Sequence, residues 1–204
     1  LCDTLLMTEG SGLYLAGPAL VKAAIGQDVD NEELGGAGMH SEISGTIDFH
    51  EPDDESCLER LRALVHADQS VAPVGDPPYQ AVGPATDPAS VYDIFQGDPH
   101  RQYDTKALLD CILDDESFNE YKADYGASIV CGYARIGGRP CGIVANQRTL
   151  TQKKMPGGKA GPSTAMNMPA VIYTESADKA ARFIMDCNQK ELPIIFMHDT
   201  TGFM

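Results

Sequence analysis

Basic residues are scarce in this chain of 204 residues: 15 Lys and Arg stand against 30 Asp and Glu, a formal net charge of −15. A surface of that sign repels phosphate backbones and argues against nucleic acid as the main partner. An anionic small ligand would have to be held by local features, such as helix N-termini, rather than by an overall field. Long apolar runs are missing too. None approaches the ~20 residues that span a bilayer, and no basic start followed by an apolar stretch marks a secretion signal. The six cysteines, at positions 2, 57, 111, 131, 141 and 187, contain no C-x-x-C. That scatter suits free, buried thiols in a reducing compartment better than a disulfide framework. The five histidines (40, 50, 66, 100, 198) show neither H-x-x-x-H nor Cys/His ligand spacing, so no metal site is expected. A G-x-S-x-G elbow and a G-x-x-x-x-G-K-[ST] phosphate loop are likewise absent.

The apolar content is 43%, enough for one full domain or parts of two. The chain starts Leu1-Cys2-Asp3 and stops at HDTTGFM, directly after an apolar run, which suggests an internal piece of a longer polypeptide. Leu13-Tyr14-Leu15 is a short strand candidate. Gly17-Pro18 then opens a helix that Gly26 closes. Thr46–His50 is expected to be extended. EPDDESCLERLRALVHAD follows, with Asp53 or Asp54 as N-cap and Leu58, Leu61, Leu64 and Val65 on one helical face. Residues 71–90, the proline-rich stretch VAPVGDPPYQAVGPATDPAS, read as a linker between two modules, residues 1–70 and 91–204.

In the second module Asp104–Leu113 and a turn around Glu116–Tyr121 are read as helical. SIVCGYARI and PCGIVANQ form a hairpin across Gly137-Gly138. Residues 148–168, glycine-rich with Lys153, Lys154 and Lys159, read as a mobile loop that could touch a phosphate or simply be solvated. Ala170–Tyr173 is extended. The next helix carries Ala180, Phe183, Ile184 and Cys187 on one face with Ser176 as N-cap, and Pro193–Met197 reads as a fully buried parallel strand. The acidic clusters Asp53–Glu55 and Asp114–Glu116 are read as a helix cap and a solvated turn.

Three features could carry chemistry. GPALVKA presents free N–H groups at a helix start, although a proline-started helix alone explains it. ELGGAGMH permits close backbone approach at Gly35, Gly36 and Gly38, or is only a tight corner. HDTTGF lies beyond the C-terminal end of a strand, where open α/β sheets place ligands.

Three stretches occur in order: GPALVKAAIGQDVDNEELGGAGMHSEISGTIDF, then YGASIVCGYARIGGRPCGIVAN, then SADKAARFIMDCNQKELPIIF with DTTGFM just after it. Together they resemble the carboxyltransferase (beta) subunit of biotin-dependent acyl-CoA carboxylases, of the methylcrotonyl-CoA and propionyl-CoA type. The resemblance implies an α/β crotonase-like (ClpP/crotonase) fold, a ββα superhelix, with this chain holding parts of two related half-domains. Residues 1–70 would end the half that holds acyl-CoA, and 91–204 would start the half that receives carboxybiotin. It implies an enzyme that moves carboxylate from carboxybiotin to the carbon activated by a thioester, through an enolate held by backbone N–H donors. Biotin would ride on a partner, the biotin carboxylase/biotin carrier subunit, and coenzyme A would belong to the substrate. A homo-oligomer, commonly a hexamer, is implied, in bacterial cytosol or mitochondrial matrix.

On this resemblance Gly17, Pro18, Gly35 and Gly36 fall on the acyl-CoA side, and Thr201, Gly202 and Phe203 on the biotin side. His40 is structural. The principal oxyanion donors would lie upstream of Leu1 and beyond Met204, so the piece holds no catalytic donor and should be inert alone. The 148–168 insertion and DTTG also resemble the carboxyltransferase subunit of glutaconyl-CoA decarboxylase, which runs the chemistry in reverse. A crotonase-fold binding protein without turnover is the remaining alternative.

Overall fold

A computed structural model describes residues 2–69, 80–98, 101–158 and 161–204. In chain order its first part contains β1 (Leu6–Thr8), α1 (Pro18–Ile25), α2 (Asn31–Gly35), α3 (Ala37–Met39), a π-turn (His40–Ser44), β2 (Phe49–Glu51) and α4 (Asp54–Gln69). A short 3-10 turn (Pro88–Ser90) leads to α5 (Val91–Ile94) and α6 (Thr105–Leu109). Then come β3 (Asn119–Tyr121), β4 (Ile129–Ile136), β5 (Arg139–Asn146), β6 (Thr151–Gly158), β7 (Gly161–Asn167), β8 (Val171–Ile172), α7 (Thr174–Gln189), β9 (Ile194–Met197) and β10 (Gly202–Phe203).

The central sheet runs β3-β4-β5-β9; the first three strands are antiparallel and β9 joins β5 in parallel. Gly137 and Gly138 both take positive φ, 59° and 79°, the mirror-image turn that matches the twist of the paired strands. Alternation along β4 and β5 sends Val130, Ala134, Cys141, Ile143 and Ala145 to one face and Ile129, Cys131 and Val144 to the other. The first face packs on Leu109 and Leu113, the second on Ala180, Phe183 and Cys187 of α7. The sequence-derived face of α7 is therefore the buried one. Gly142 lets α7 come close: a Cβ there would strike the Cys187 sulfur. Phe183, 0% exposed, lies against the rings of Tyr121 and Tyr133, at centroid distances of 5.3 and 5.0 Å.

The amino-terminal part is thinner. β1 and β2 form a two-stranded parallel pair, with Met7, Ala37 and Ile47 as its buried cluster. Asp53 caps α4, accepting from Ser56 N at 2.8 Å, as the sequence indicates. Its apolar row is not covered by the described residues: Leu58, Leu61 and Val65 are 52%, 46% and 49% exposed. What ties this part to the central sheet is polar. Lys122, 8% exposed, donates to the carbonyls of Gly45 (2.6 Å) and Ile47 (3.0 Å) and pairs with Asp48 at 2.9 Å. Arg60 Nη1 donates to Asn119 Oδ1 at 3.0 Å.

Several sequence expectations are corrected. Leu13–Leu15 is no strand: it has only an isolated bridge, Gly12 to Gly36, beside it, and Leu15 is exposed. The 104–113 helix is shorter, α6 giving way after Leu109 to i→i+3 bonds from Cys111 N to Leu108 O and Ile112 N to Leu109 O. The 116–121 helical turn is instead β3, because Glu116 takes φ 55° and breaks any helix there. Asp114 is no solvated residue; it is 5% exposed and accepts from the N–H groups of Gly137 (2.7 Å) and Gly138 (2.6 Å). The expected loop at 148–168 is the β6–β7 hairpin. Lys153 pairs with Glu175 at 2.8 Å and Lys154 with Glu42 at 2.6 Å, so neither ammonium group is held out for a phosphate. Lys159 lies outside the described residues, as do residues 71–79 of the proline-rich stretch. Ser176 is not the N-cap of α7: Tyr173 is, and Ser176 Oγ accepts from Tyr173 N at 2.9 Å from the first turn. β9 is not fully buried, since it forms the sheet edge and leaves Phe196 52% exposed.

No disulfide joins the described cysteines, and four of the six thiols are buried. Burial pushes the Cys141 and Cys187 thiols up to about 11, so they stay protonated and inert. Lys179 on α7 is 1% exposed, and its Nζ has no hydrogen-bond partner among the described residues. Burial lowers its ammonium group to about 8.

Candidate functional site

Parallel strands β5 and β9 end together, with Ala145 opposite Met197. Beyond that point the chain turns polar: Asn146-Gln147-Arg148 on one side, His198-Asp199-Thr200 on the other. The Asn146 amide donates from Nδ2 to the Asp199 carbonyl at 2.8 Å and accepts at Oδ1 from Asp199 N at 2.6 Å. Gln147 accepts from Thr105 N (2.9 Å) and Arg148 N (2.8 Å) and donates to Asp104 Oδ1 (2.8 Å). Thr105 Oγ1 donates to the Asn146 carbonyl at 2.8 Å. Asn146, Gln147 and Thr105 are all buried, and this network gives each a partner, which is the condition for polar groups to rigidify a core.

A cavity of about 360 Å3 opens beside this network, walled by Val91, Phe95, Tyr103, Leu108, Met197 and His198 together with Asn146 and Asp199. Phe95 and Tyr103 meet edge to face, centroids 5.7 Å apart. The Tyr103 hydroxyl donates to Asp199 Oδ2 at 3.1 Å, and Arg148 Nε lies 3.3 Å from the same oxygen. Burial, then the Asp199 carboxylate, pushes Tyr103 up to about 12, so it remains a neutral donor at ordinary pH. The wall is thus apolar and aromatic with a few polar groups at one rim, the composition of small-molecule sites.

Thr201, Gly202 and Phe203 follow directly on this rim. Thr201 N donates to the Ala170 carbonyl at 2.8 Å, and Gly202–Phe203 pairs in parallel with Val171–Ile172. Their backbone is fixed, while the Phe203 ring is 81% exposed.

The other sequence-derived residues form a separate corner. Gly17 is the N-cap of α1 with φ −70°, Pro18 is its first residue, and Leu20 N and Val21 N both donate to the Gly17 carbonyl. Nothing crowds a Cβ at Gly17. Gly35 is different: its carbonyl accepts from Leu13 N at 2.8 Å, and a Cβ would strike the Leu13 oxygen and the Tyr14 ring. His40 closes the corner, with Nε2 2.8 Å from the Leu13 carbonyl and Nδ1 3.0 Å from Ser44 Oγ. Close backbone packing is therefore what the glycine-rich segment does here, and His40 is structural. Gly17, Pro18, Gly35 and Gly36 do not line the cavity at the ends of β5 and β9.

Sequence reasoning did not single out Asn146, Gln147 or Tyr103; Asp199 lay inside HDTTGF, from which only Thr201–Phe203 were drawn. The available signal was the polar pair that closes the apolar run PCGIVANQ, opposite a second apolar run that also ends in polar residues.

Comparison with known proteins follows the same lines. The carboxyl transferase domain family matches residues 1–204. The chain is 34% identical over 202 residues to the biotin-dependent 3-methylcrotonyl-coenzyme A carboxylase beta1 subunit of Mycobacterium tuberculosis, covering 99% of this chain and 34% of that protein. It is 32% identical to the mitochondrial methylcrotonoyl-CoA carboxylase beta chain of Dictyostelium discoideum, covering 100% of this chain and 31% of that one. Among solved structures, the transcarboxylase 12S hexamer with hydrolysed methylmalonyl-coenzyme A bound superposes with a TM-score of 0.75 at 30% identity, covering 99% of this chain and 37% of that one. The chain thus spans about a third of the length of these relatives. It belongs to the carboxyl transferase domain family and has that family's crotonase-like α/β fold.

Proposed function

We propose that this chain is part of the carboxyltransferase subunit of a biotin-dependent acyl-CoA carboxylase. Residues 91–204 form the biotin side and residues 1–70 the acyl-CoA side. The observation that carries the reading is the aromatic-walled cavity at the ends of β5 and β9, with His198 and Asp199 in its wall and the Asp199 backbone fixed by the Asn146 carboxamide. A flat ring with one polar edge and an apolar tail, which is what biotin presents, fits a cavity of about 360 Å3 walled in this way.

Carboxybiotin supplies the carboxyl group when bound. What this chain supplies is placement. Phe95, Leu108 and Met197 give the cavity an apolar wall, and Tyr103 places a neutral hydroxyl, donated to Asp199, at its rim. Asn146 and the Ala170 carbonyl hold the 199–203 backbone in place. On the acyl-CoA side, Gly17–Pro18 opens a helix whose Leu20 and Val21 N–H groups are taken up by the Gly17 carbonyl, and Gly35–Gly36 bring the chain tightly back on itself.

The working assembly pairs with a biotin carboxylase/biotin carrier subunit and is a homo-oligomer, a hexamer by analogy with the transcarboxylase 12S structure. Its setting is bacterial cytosol or mitochondrial matrix, in keeping with bacterial and mitochondrial relatives. No described helix is long and apolar enough to cross a membrane.

The test uses the full-length polypeptide with a biotin carboxylase, a carrier, ATP and bicarbonate. Carboxylation of methylcrotonyl-CoA or propionyl-CoA is the expected result. Decarboxylation of glutaconyl-CoA without any carboxylation would establish the reverse-running enzyme instead. Failure to bind any CoA ester would leave a binding protein without turnover.

A further inference from the structure

Asn146 is the last residue of β5, and its side chain continues the ladder after the main-chain pairing with β9 has ended at Ala145. The two bonds to residue 199, at 2.8 and 2.6 Å, have opposite polarity: one needs a donor, the other an acceptor, at the spacing of a carboxamide. The next residue repeats the pattern through the backbone. Ala170 N donates to the Gln147 carbonyl at 3.0 Å, and the Ala170 carbonyl receives Thr201 N at 2.8 Å. Two consecutive residues at the end of β5 therefore hold the 199–203 turn at two points, with only Thr200 between them. Asn146 is 5% exposed, so water does not readily replace a lost partner.

We infer that Asn146 is a positioning residue for the carboxyl-donor side of the reaction: its carboxamide sets where the Asp199 backbone stands at the cavity wall, and so governs biotin and not acyl-CoA. The inference rests on the functional reading given above. It goes further by separating the two substrates. The acyl-CoA corner at Gly17–Pro18 and Gly35–Gly36 shares no cavity wall with Asn146, so a shift of the turn should be felt by one substrate alone.

The experiment measures steady-state transfer from methylmalonyl-CoA, and in parallel from carboxylated methylcrotonyl-CoA, to free biotin by the full-length polypeptide. Asn146→Ala is expected to raise the KM for biotin about tenfold while the KM for the CoA ester stays within about twofold. Asn146→Asp keeps the shape and the acceptor but loses the donor when ionised. Lowering the pH protonates that carboxyl and restores the donor, so the biotin KM of this variant should fall toward the wild-type value in acid, a dependence the wild type lacks. The near-isosteric variant also keeps the test sound if Asn146→Ala does not fold. Parallel changes in both KM values, or a lower melting temperature with both KM values unchanged, would overturn the positioning role. A wild-type protein that transfers nothing from either ester would remove the functional reading itself, and this inference with it.

Discussion

The central sheet and the amino-terminal corner are built by different means. The sheet has both faces covered, with seven buried residues in each of two clusters, and its strand ends are tied by a satisfied polar network. The corner has a buried cluster of three and relies on backbone contacts at Gly35, a bridging His40 and the Lys122 anchor. Burial of apolar area stabilises in rough proportion to its extent, so the sheet should set the stability while the corner follows it. The difference also separates two ways of shaping a site. One holds a turn by side-chain amides and carbonyls over a closed core; the other brings chain segments together where a side chain is missing.

Substitutions at matched positions break or sharpen this contrast. Phe183→Ala in the sheet should cost about 3–5 kcal/mol of unfolding free energy in denaturant titration, because a large ring leaves a cavity between Tyr121 and Tyr133. Leu61→Ala in α4 should cost under about 0.5 kcal/mol, as an exposed side chain loses little. Equal costs would mean that α4 is buried by something beyond the described residues, and the contrast would be lost.

Lys179→Met should stabilise the protein by about 1–3 kcal/mol at pH 7, since it removes a buried charge without a partner. The pH dependence has a definite sign. The folded protein releases the Lys179 proton near 8, whereas an unfolded lysine keeps it to about 10.4. Between those values the unfolded chain binds more protons, so wild-type stability climbs with pH across the window. The advantage of methionine should therefore be full below pH 8 and fade toward pH 10.4. An advantage that grows with pH would mean that Lys179 is paired.

Asp114→Ala strips two turn N–H groups of their acceptor and should cost about 1–3 kcal/mol, read as a lower denaturant midpoint. Smallest of all, Lys154→Ala removes an exposed pair with Glu42 and should move stability by less than about 0.5 kcal/mol. A larger loss would show that the β6–β7 hairpin holds the corner in place.

What the sequence shows and what it hides divide along the same physical line. Local signals read well: the Gly137-Gly138 turn, the proline-started α1 with Gly26 at its end, the Asp53 cap, and the apolar face of α7. Each depends on neighbours within a few residues. The β6–β7 hairpin was hidden because TQKKMPGG and GPSTAMN carry no clear apolar alternation, and their lysines find carboxylates far away in sequence, on Glu175 and Glu42. Asp114 looked like one of a solvated acidic run because its acceptor role needs amides 23 and 24 residues further on. Asn146 was hidden for the same reason, its partner being 53 residues away. Of the candidate site, the place of HDTTGF after a strand was legible, although the cavity wall takes His198 and Asp199 from it and not Thr201–Phe203, whereas the wall at Phe95 and Tyr103 comes from a segment that carries no motif.

Backbone placement rather than a reactive side chain is the core of this reading, and His198 is the cavity-wall residue best suited by chemistry to challenge it. The direct measurement is kcat for carboxyl transfer to free biotin by the full-length protein carrying His198→Gln, beside the wild type. With placement as the source of catalysis, kcat should fall no more than about tenfold. A fall of about a thousandfold or more, with a kcat that varies with pH in the wild type and no longer does so in the variant, would make the imidazole a general acid or base and contradict it.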